Sequence, residues 1–159
     1  PARMSEPTVS LVPVDETEYD DFFEMFEVYD AELQPFETVQ PQQDFSIDAY
    51  RQAVLADMAG RELMWVMTDD RRAGLVMTRT TPDWPDDRDE TVSISEFYIV
   101  PSRRRVGVGR AAVEALMAEH RRRGTALVQA AILRENEGAF AFWASVGFEV
   151  QFLQTSRSP

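Results

Sequence analysis

The chain has 159 residues, 44% of them hydrophobic and 28% charged, the composition of a single globular domain with one core of ordinary size. With no cysteine and one histidine, His120, it excludes a disulfide framework, a thiolate metal site and a cysteine nucleophile, and no metal is expected. The net charge of -12 argues against nucleic acid as a partner, because phosphate binding needs a basic face.

All 16 basic residues are arginines. From Asp15 to Glu37 every charge is acidic, whereas Pro101 to Arg123 concentrates arginine, a split that suits a cationic acceptor and an anionic cofactor respectively. A solvated acidic surface with no partner is the plainer reading of the acidic half. No apolar run is long enough to span a bilayer, and PARMSEPT at the start lacks a signal-peptide pattern. A soluble cytoplasmic protein without membrane contact is therefore the expectation.

In chain order, Thr8–Val14 reads as a short strand with Pro13 at an edge or end. A helix follows from Thr17, whose hydroxyl is the expected cap, to Leu33, with Phe22, Phe23, Phe26, Val28, Tyr29 and Leu33 at helical spacing. After a Pro-containing loop over 34–44, Ser46 caps a second helix that runs to Ala59 and ends at Gly60. Leu63–Thr68 and Ala73–Thr80 form a hairpin about a turn at Asp69–Arg72, and an acidic loop over 81–90 leads to a strand at Thr91–Val100. The helix Gly107–Arg123 stacks Ala112, Val113, Leu116, Met117 and His120 on one face and closes at Gly124. His120 on that face reads as a core histidine. Thr125–Ile132 is the next strand; Asn136 caps a last helix with Ala139, Phe142, Trp143 and Val146 inward, Gly147 ends it, and Phe148–Leu153 is a final strand. The fold class is α/β (α+β) with a mixed sheet, one domain, order β-α-α-β-β-β-α-β-α-β.

A strand that runs into a Gly-rich turn at a helix N-terminus is an anion site, and Ser93 to Gly124 has that form. Gly107-Val108-Gly109-Arg110-Ala111-Ala112 fits G-x-G-x-x-A, which opens a reading as a nicotinamide-linked oxidoreductase. Against it, PSRRRV separates the strand from the first glycine, and no acid ends the following strand. The longer run Arg104-Arg105-Val106-Gly107-Val108-Gly109 matches [Q/R]-x-x-G-x-[G/A]. Downstream, Asn136 to Ala139 and Phe142 to Phe148 fit N-x-x-A followed by an aromatic pair and G-F. Over residues 93–148 the chain thus resembles the GNAT superfamily of acyl-CoA-dependent N-acetyltransferases, with its mixed, mostly antiparallel central sheet flanked by helices.

The resemblance implies acetyl-CoA as cosubstrate and a small-molecule or peptide amine as acceptor; a homodimer is compatible with it. Backbone groups of Ile99 and Val100 would meet the pantetheine arm, and the loop Val106, Gly107, Val108 and Gly109 would close on the diphosphate. Arg104, Arg105 and Arg110 would neutralise its oxygens. Glu96 is the candidate base, although family members place theirs at differing strand positions, some of which hold Ser93 and Ala131 here. Trp143 stands where the family often has a tyrosine acid; it walls the thioester pocket, and Tyr98 or water is the substitute donor. Asn136 is a helix cap first and a cofactor contact second. Phe26, Tyr29 and Asp30 on the first helix would receive the acceptor. The missing tyrosine also leaves open a weak or inactive CoA-binding regulatory protein on the same fold.

Overall fold

Runs such as Leu63–Val66 and Ala73–Met77 are buried on successive residues, so the strands that carry them must be covered on both faces. The computed structural model, which describes residues 7–38, 46–83, 85, 88–157 and 159, shows how. Strands β1 (Val9–Pro13), β2 (Arg61–Thr68), β3 (Arg71–Pro82), β4 (Glu90–Ile99) and β5 (Leu127–Ala130) form one sheet in that spatial order. All neighbours are antiparallel except β4 and β5, which are parallel. Helices α1 (Tyr19–Leu33) and α2 (Ile47–Ala56) cover one face, α3 (Val108–Arg123) and α4 (Glu137–Ser145) the other. Alternation assigns the layers: Trp65, Leu75 and Met77 pack with Phe22, Phe23 and Phe26, while Val66 and Val76 pack with Ala112, Val113, Leu116 and Trp143.

Two irregularities in β4 position the site. Met77 pairs with Glu96 but Thr78 pairs with Ile94, so Ser95 is an extra residue in the strand. That bulge puts Ile94 in the α3/α4 layer with Ile99, and leaves Tyr98 in the α1/α2 layer. The β4–β5 ladder also ends at the pair Ile94–Ala130, whereas β4 itself continues to Ile99. Beyond that pair the two strands part.

Several expectations shift. Asp15, not Thr17, caps the first helical segment: its carboxylate accepts from the Thr17 N–H at 2.9 Å, and Glu18 closes a capping box, because an aspartate two residues earlier reaches more free donors than the hydroxyl. The hairpin turn is only Asp69–Asp70, both with positive φ (51° and 54°), the geometry a two-residue hairpin imposes. Ser46 does cap α2, accepting from the Ala49 N–H at 3.3 Å, but the helix stops at Ala56, short of Gly60. The expected strand Phe148–Leu153 is not formed. Phe148 folds back against Trp143 (ring centroids 4.8 Å). Phe152 and Leu153 are 74% and 84% exposed, with no strand ladder among the described residues to hold them. His120 is buried as expected, its Nδ1 3.1 Å from the Thr125 hydroxyl. The N-terminal stretch 1–6 and parts of the two predicted loops (39–45, 84, 86 and 87) lie outside the described residues.

Gly74 is where backbone contact is tightest, since a Cβ there would lie 2.0 Å from the Tyr98 carbonyl oxygen of β4. Gly74→Ala is expected to destabilise the fold by about 2 kcal/mol or more, read as a lowered denaturation midpoint with unchanged slope; an unchanged midpoint would contradict this packing of β3 on β4.

Candidate active site

The parting of β4 and β5 opens a cleft of about 330 Å³. Its walls are Ile94 to Phe97 of β4, Ala130 to Leu133 beyond β5, Asn136, Ala139 and Trp143 of α4, and Tyr29 and Leu33 of α1. Trp143 is almost fully buried, edge-on to Phe97 and Phe142 at 5.2 Å each, which fixes it as an apolar wall. The Asn136 side chain accepts from the Ala139 N–H at 3.0 Å, so it caps α4 and borders the cleft at once.

The N-terminus of α3 lies against Phe142 of α4 and Ile99 at the end of β4. Gly107 is its N-cap with φ 89°, a conformation that favours glycine. No side chain caps this helix, and its first internal bond is Ala111 N–H to the Gly107 carbonyl at 3.0 Å. The N–H groups of Val108, Gly109 and Arg110 therefore have no acceptor within the helix, and they carry the positive end of a 16-residue dipole. At Gly109 a Cβ would come within 3.1 Å of the Phe142 ring, so this glycine permits α3 to approach α4 closely.

The arginines are placed differently from the expectation. Arg104 turns away from the helix end: Nε donates to the Ile99 carbonyl at 2.7 Å, and its guanidinium pairs with Glu32 of α1 at 2.8 Å. Arg110 donates to the Ser145 carbonyl at 2.8 Å, tying α3 to the C-terminus of α4. Arg105 is exposed, with φ 64°, and makes no ion pair among the described residues, which leaves it available to an anion. The backbone expectation also moves. The Val100 N–H is taken by the Ala73 carbonyl at 2.9 Å and the Ile99 carbonyl by Arg104, so the stretch of β4 bordering the cleft is Ile94 to Phe97 instead. Val106 is exposed beside this loop and Val108 is buried under it.

Glu96 lines the cleft from the β4 side, and Tyr50 of α2 donates to its Oε1 at 2.8 Å. Burial pushes the Glu96 carboxyl up to about 7; the Tyr50 hydrogen bond opposes this, the Asp30 charge adds to it and Arg61 opposes it. Tyr29 also lines the cleft, its phenol driven above its ordinary range by burial and then by the Glu96 charge. Asp30 accepts from Gln34 at 3.3 Å. Phe26, expected to receive an acceptor, is instead buried and stacked on Tyr50 (centroids 4.6 Å, interplanar 12°), because its position in α1 faces the sheet.

Tyr98 does not reach the cleft. It is 3% exposed, its hydroxyl donates to Glu32 at 3.0 Å, and burial first, then Glu32, raise its pKa. It belongs to the α1/α2 layer, so a donor role toward the cleft has no geometry to support it. Of the alternative base positions, Ser93 accepts from Gln129 at 2.9 Å, and Ala131 lines the cleft without a titratable group. Tyr50 is the site residue that sequence reasoning missed. Among the described residues no group of three potential metal ligands exists.

A sequence profile described as the acetyltransferase (GNAT) family matches residues 20–148. Among solved structures, the chain is similar to a ribosomal-protein-alanine N-acetyltransferase from Brucella melitensis biovar Abortus 2308 (13% identity, TM-score 0.71, covering 95% of this chain and 99% of that one). It is also similar to an aminoglycoside acetyltransferase from an uncultured soil metagenomic sample, in complex with sisomicin (11% identity, TM-score 0.70, 95% and 96% covered). A third is a transcriptional regulator from Bacillus halodurans C-125 (14% identity, TM-score 0.68, 95% and 99% covered). At these identities the likeness is one of fold. No curated protein matches the chain in sequence.

The Glu96 carboxyl keeps its proton to about pH 7 in the fold, against an ordinary value of 4.5. Its contribution to stability is therefore complete below pH 4.5 and lost as pH rises through about 7. Glu96→Gln removes that titration, so the melting temperature of the variant minus that of the parent is expected to increase between pH 5 and pH 8. A pH-independent difference would contradict the burial of this carboxyl.

Proposed function

From its membership of the acetyltransferase (GNAT) family, to which the chain belongs over residues 20–148, we propose that the protein is an N-acyltransferase moving an acetyl group from acetyl-CoA to a primary amine by direct attack. The observation that carries this reading is the conjunction of a half-buried carboxylate, Glu96, held by Tyr50 on the wall of the β4–β5 cleft, with three helix N–H groups at the start of α3 that no side chain caps. The chain's residues fit the cosubstrate: Val108, Gly109 and Arg110 N–H groups and the free Arg105 suit a diphosphate, and the apolar cleft suits a pantetheine arm.

When bound, acetyl-CoA supplies an acyl thioester as electrophile. The protein's part is to hold the amine in line and take its proton. An alkyl amine with a pKa near ~10 is mostly charged at neutral pH, so a base able to accept a proton near pH 7 is needed beside it. Glu96 meets that need on the acceptor side of β4, with Asp30 adding negative charge that favours a cationic amine. Trp143 gives the cleft an apolar wall; its indole is a donor but not an acid. A thiol near pKa ~8.5 departs without one.

The two acetyltransferase neighbours carry names that cover a small-molecule amine and a protein amine, and a small-molecule or peptide acceptor is proposed here. No helix among the described residues is long and apolar enough to cross a membrane, and a cytoplasmic setting belongs to the same proposal. A second reading, a CoA-binding regulator with little turnover, is favoured by one observation: Trp143 faces the cleft where the family often has a tyrosine, and Tyr98 is turned away, so neither of these two residues is an acid at the cleft.

Thiol release from acetyl-CoA against polyamines, aminoglycosides, amino acids and peptide N-termini decides between them. The expected result is amine-dependent release with an acid limb near pH 7, and a loss in Glu96→Gln of about 10²-fold or more with CoA affinity retained. CoA binding without release across the panel would instead establish the regulator.

A further inference from the structure

Taking Glu96 as the base proposed above, we infer that Tyr50 is a positioning residue for the reaction: its hydroxyl pins one oxygen of the Glu96 carboxyl and leaves the other to meet the acceptor amine. The hydroxyl donates to Oε1 at 2.8 Å, and Oε2 has no hydrogen-bond partner among the described residues. The phenol itself is clamped. Its ring stacks on Phe26 at 4.6 Å and 12°, and Phe23 meets it edge-on at 6.5 Å and 75°. Both phenylalanines are core residues of α1, so the direction of the Tyr50 hydroxyl is set by the packing of α1 on α2.

A glutamate side chain has three rotatable bonds, and on an open cleft wall its carboxyl would sample several orientations. Among the described residues, the charged or titratable groups around it come from several elements: Tyr50 from α2, Tyr29 and Asp30 from α1, Arg61 from β2, and Glu37, after α1, on the same cleft. The Asp30 charge disfavours its ionised form and the Arg61 charge favours it, Arg61 without a hydrogen bond to it. Only Tyr50 among these donates to the carboxyl within hydrogen-bond distance. Burial, followed by the Glu96 charge, holds the Tyr50 phenol above its ordinary range, so the hydroxyl stays protonated and remains a donor over the whole working pH. A donor to the ionised form favours that form. Tyr50 thus does two things by one bond: it orients the base, and it keeps the pH at which the base becomes available from rising further.

Tyr50→Phe keeps the ring and its stack while deleting the bond. In this variant the side-chain carboxyl resonance of Glu96, followed by 13C NMR and identified by its absence in Glu96→Gln, is expected to titrate about one pH unit higher than in the parent. The acid limb of the thiol-release profile should move by the same amount, and the turnover plateau should fall several-fold with CoA affinity unchanged. In the unmodified protein the Tyr50 Cζ resonance should shift with the Glu96 midpoint and lose that transition in Glu96→Gln, a measurement that needs no Tyr50 variant to fold. An unchanged Glu96 midpoint in Tyr50→Phe, or a Tyr50 resonance blind to Glu96, overturns the inference and leaves the base assignment standing. A midpoint that moves while the rate profile does not follow overturns the base assignment instead, and with it any part for Tyr50 in the reaction.

Discussion

Beyond the pair Ile94–Ala130, β4 goes on without β5, and the rest of the site depends on that divergence. Two parallel strands that stayed paired to their ends would bury their polar edges in each other and leave no room between them. Here the extra residue Ser95 bends β4 at the level where β5 stops, and the gap is walled by α4 on one side and α1 on the other. The same bulge changes which side chains face which layer. It buries Ile94 under α3 and α4, and directs Glu96 to the side where Tyr50 and Asp30 can act on it.

Charge is used more internally than its distribution along the chain implies. With no lysine, every cation is a planar fork suited to paired acceptors. Arg104 grips Glu32 and the Ile99 carbonyl, Arg110 closes α4, and Arg123 bridges Glu62 and Glu119. Most of the arginines near the glycine loop are therefore struts between elements. Attraction for an anion at the start of α3 falls to the backbone N–H groups and to Arg105, a geometry that fixes an anion's position better than a set of flexible side chains. The Arg104–Glu32 pair also joins the loop before α3 to α1, so the two sides of the cleft share a support.

Much of this was legible where the signal is local. Apolar spacing marks α1, α3 and α4; Ser46 and Asn136 cap as their positions imply; Gly107 stands where a positive φ is required. The neighbours of Glu96 in sequence do not give its surroundings: Phe97 packs into the α3/α4 layer, and the phenols near the carboxyl are those of Tyr50 and Tyr29. What was not legible depends on distant contacts. Tyr50 meets Glu96 across 46 residues, and nothing in α2 distinguishes its phenol from any other on an amphipathic helix. Assigning Tyr98 to the cleft ignored the side from which α1 covers it, where Glu32 takes its hydroxyl. The bulge did leave a trace: Ile94 and the pair Phe97 and Ile99 are out of phase for a regular strand, and that break marks the extra residue. The expected strand Phe148–Leu153 shows the converse, since apolar alternation at Phe148, Val150 and Phe152 specifies a strand only when a partner edge is hydrogen-bonded to it.

The proposed function turns on whether the uncapped start of α3 and the β4–β5 cleft together hold an acyl-CoA. A 15N-resolved NMR titration with coenzyme A tests it most directly, because it reads the individual backbone N–H groups. The account predicts that the largest shifts fall on Val108, Gly109 and Arg110, with smaller ones along Ile94 to Phe97 and on the Trp143 indole. Coenzyme A that leaves these amides unmoved at millimolar concentration, or that binds while shifting a different surface, would contradict it.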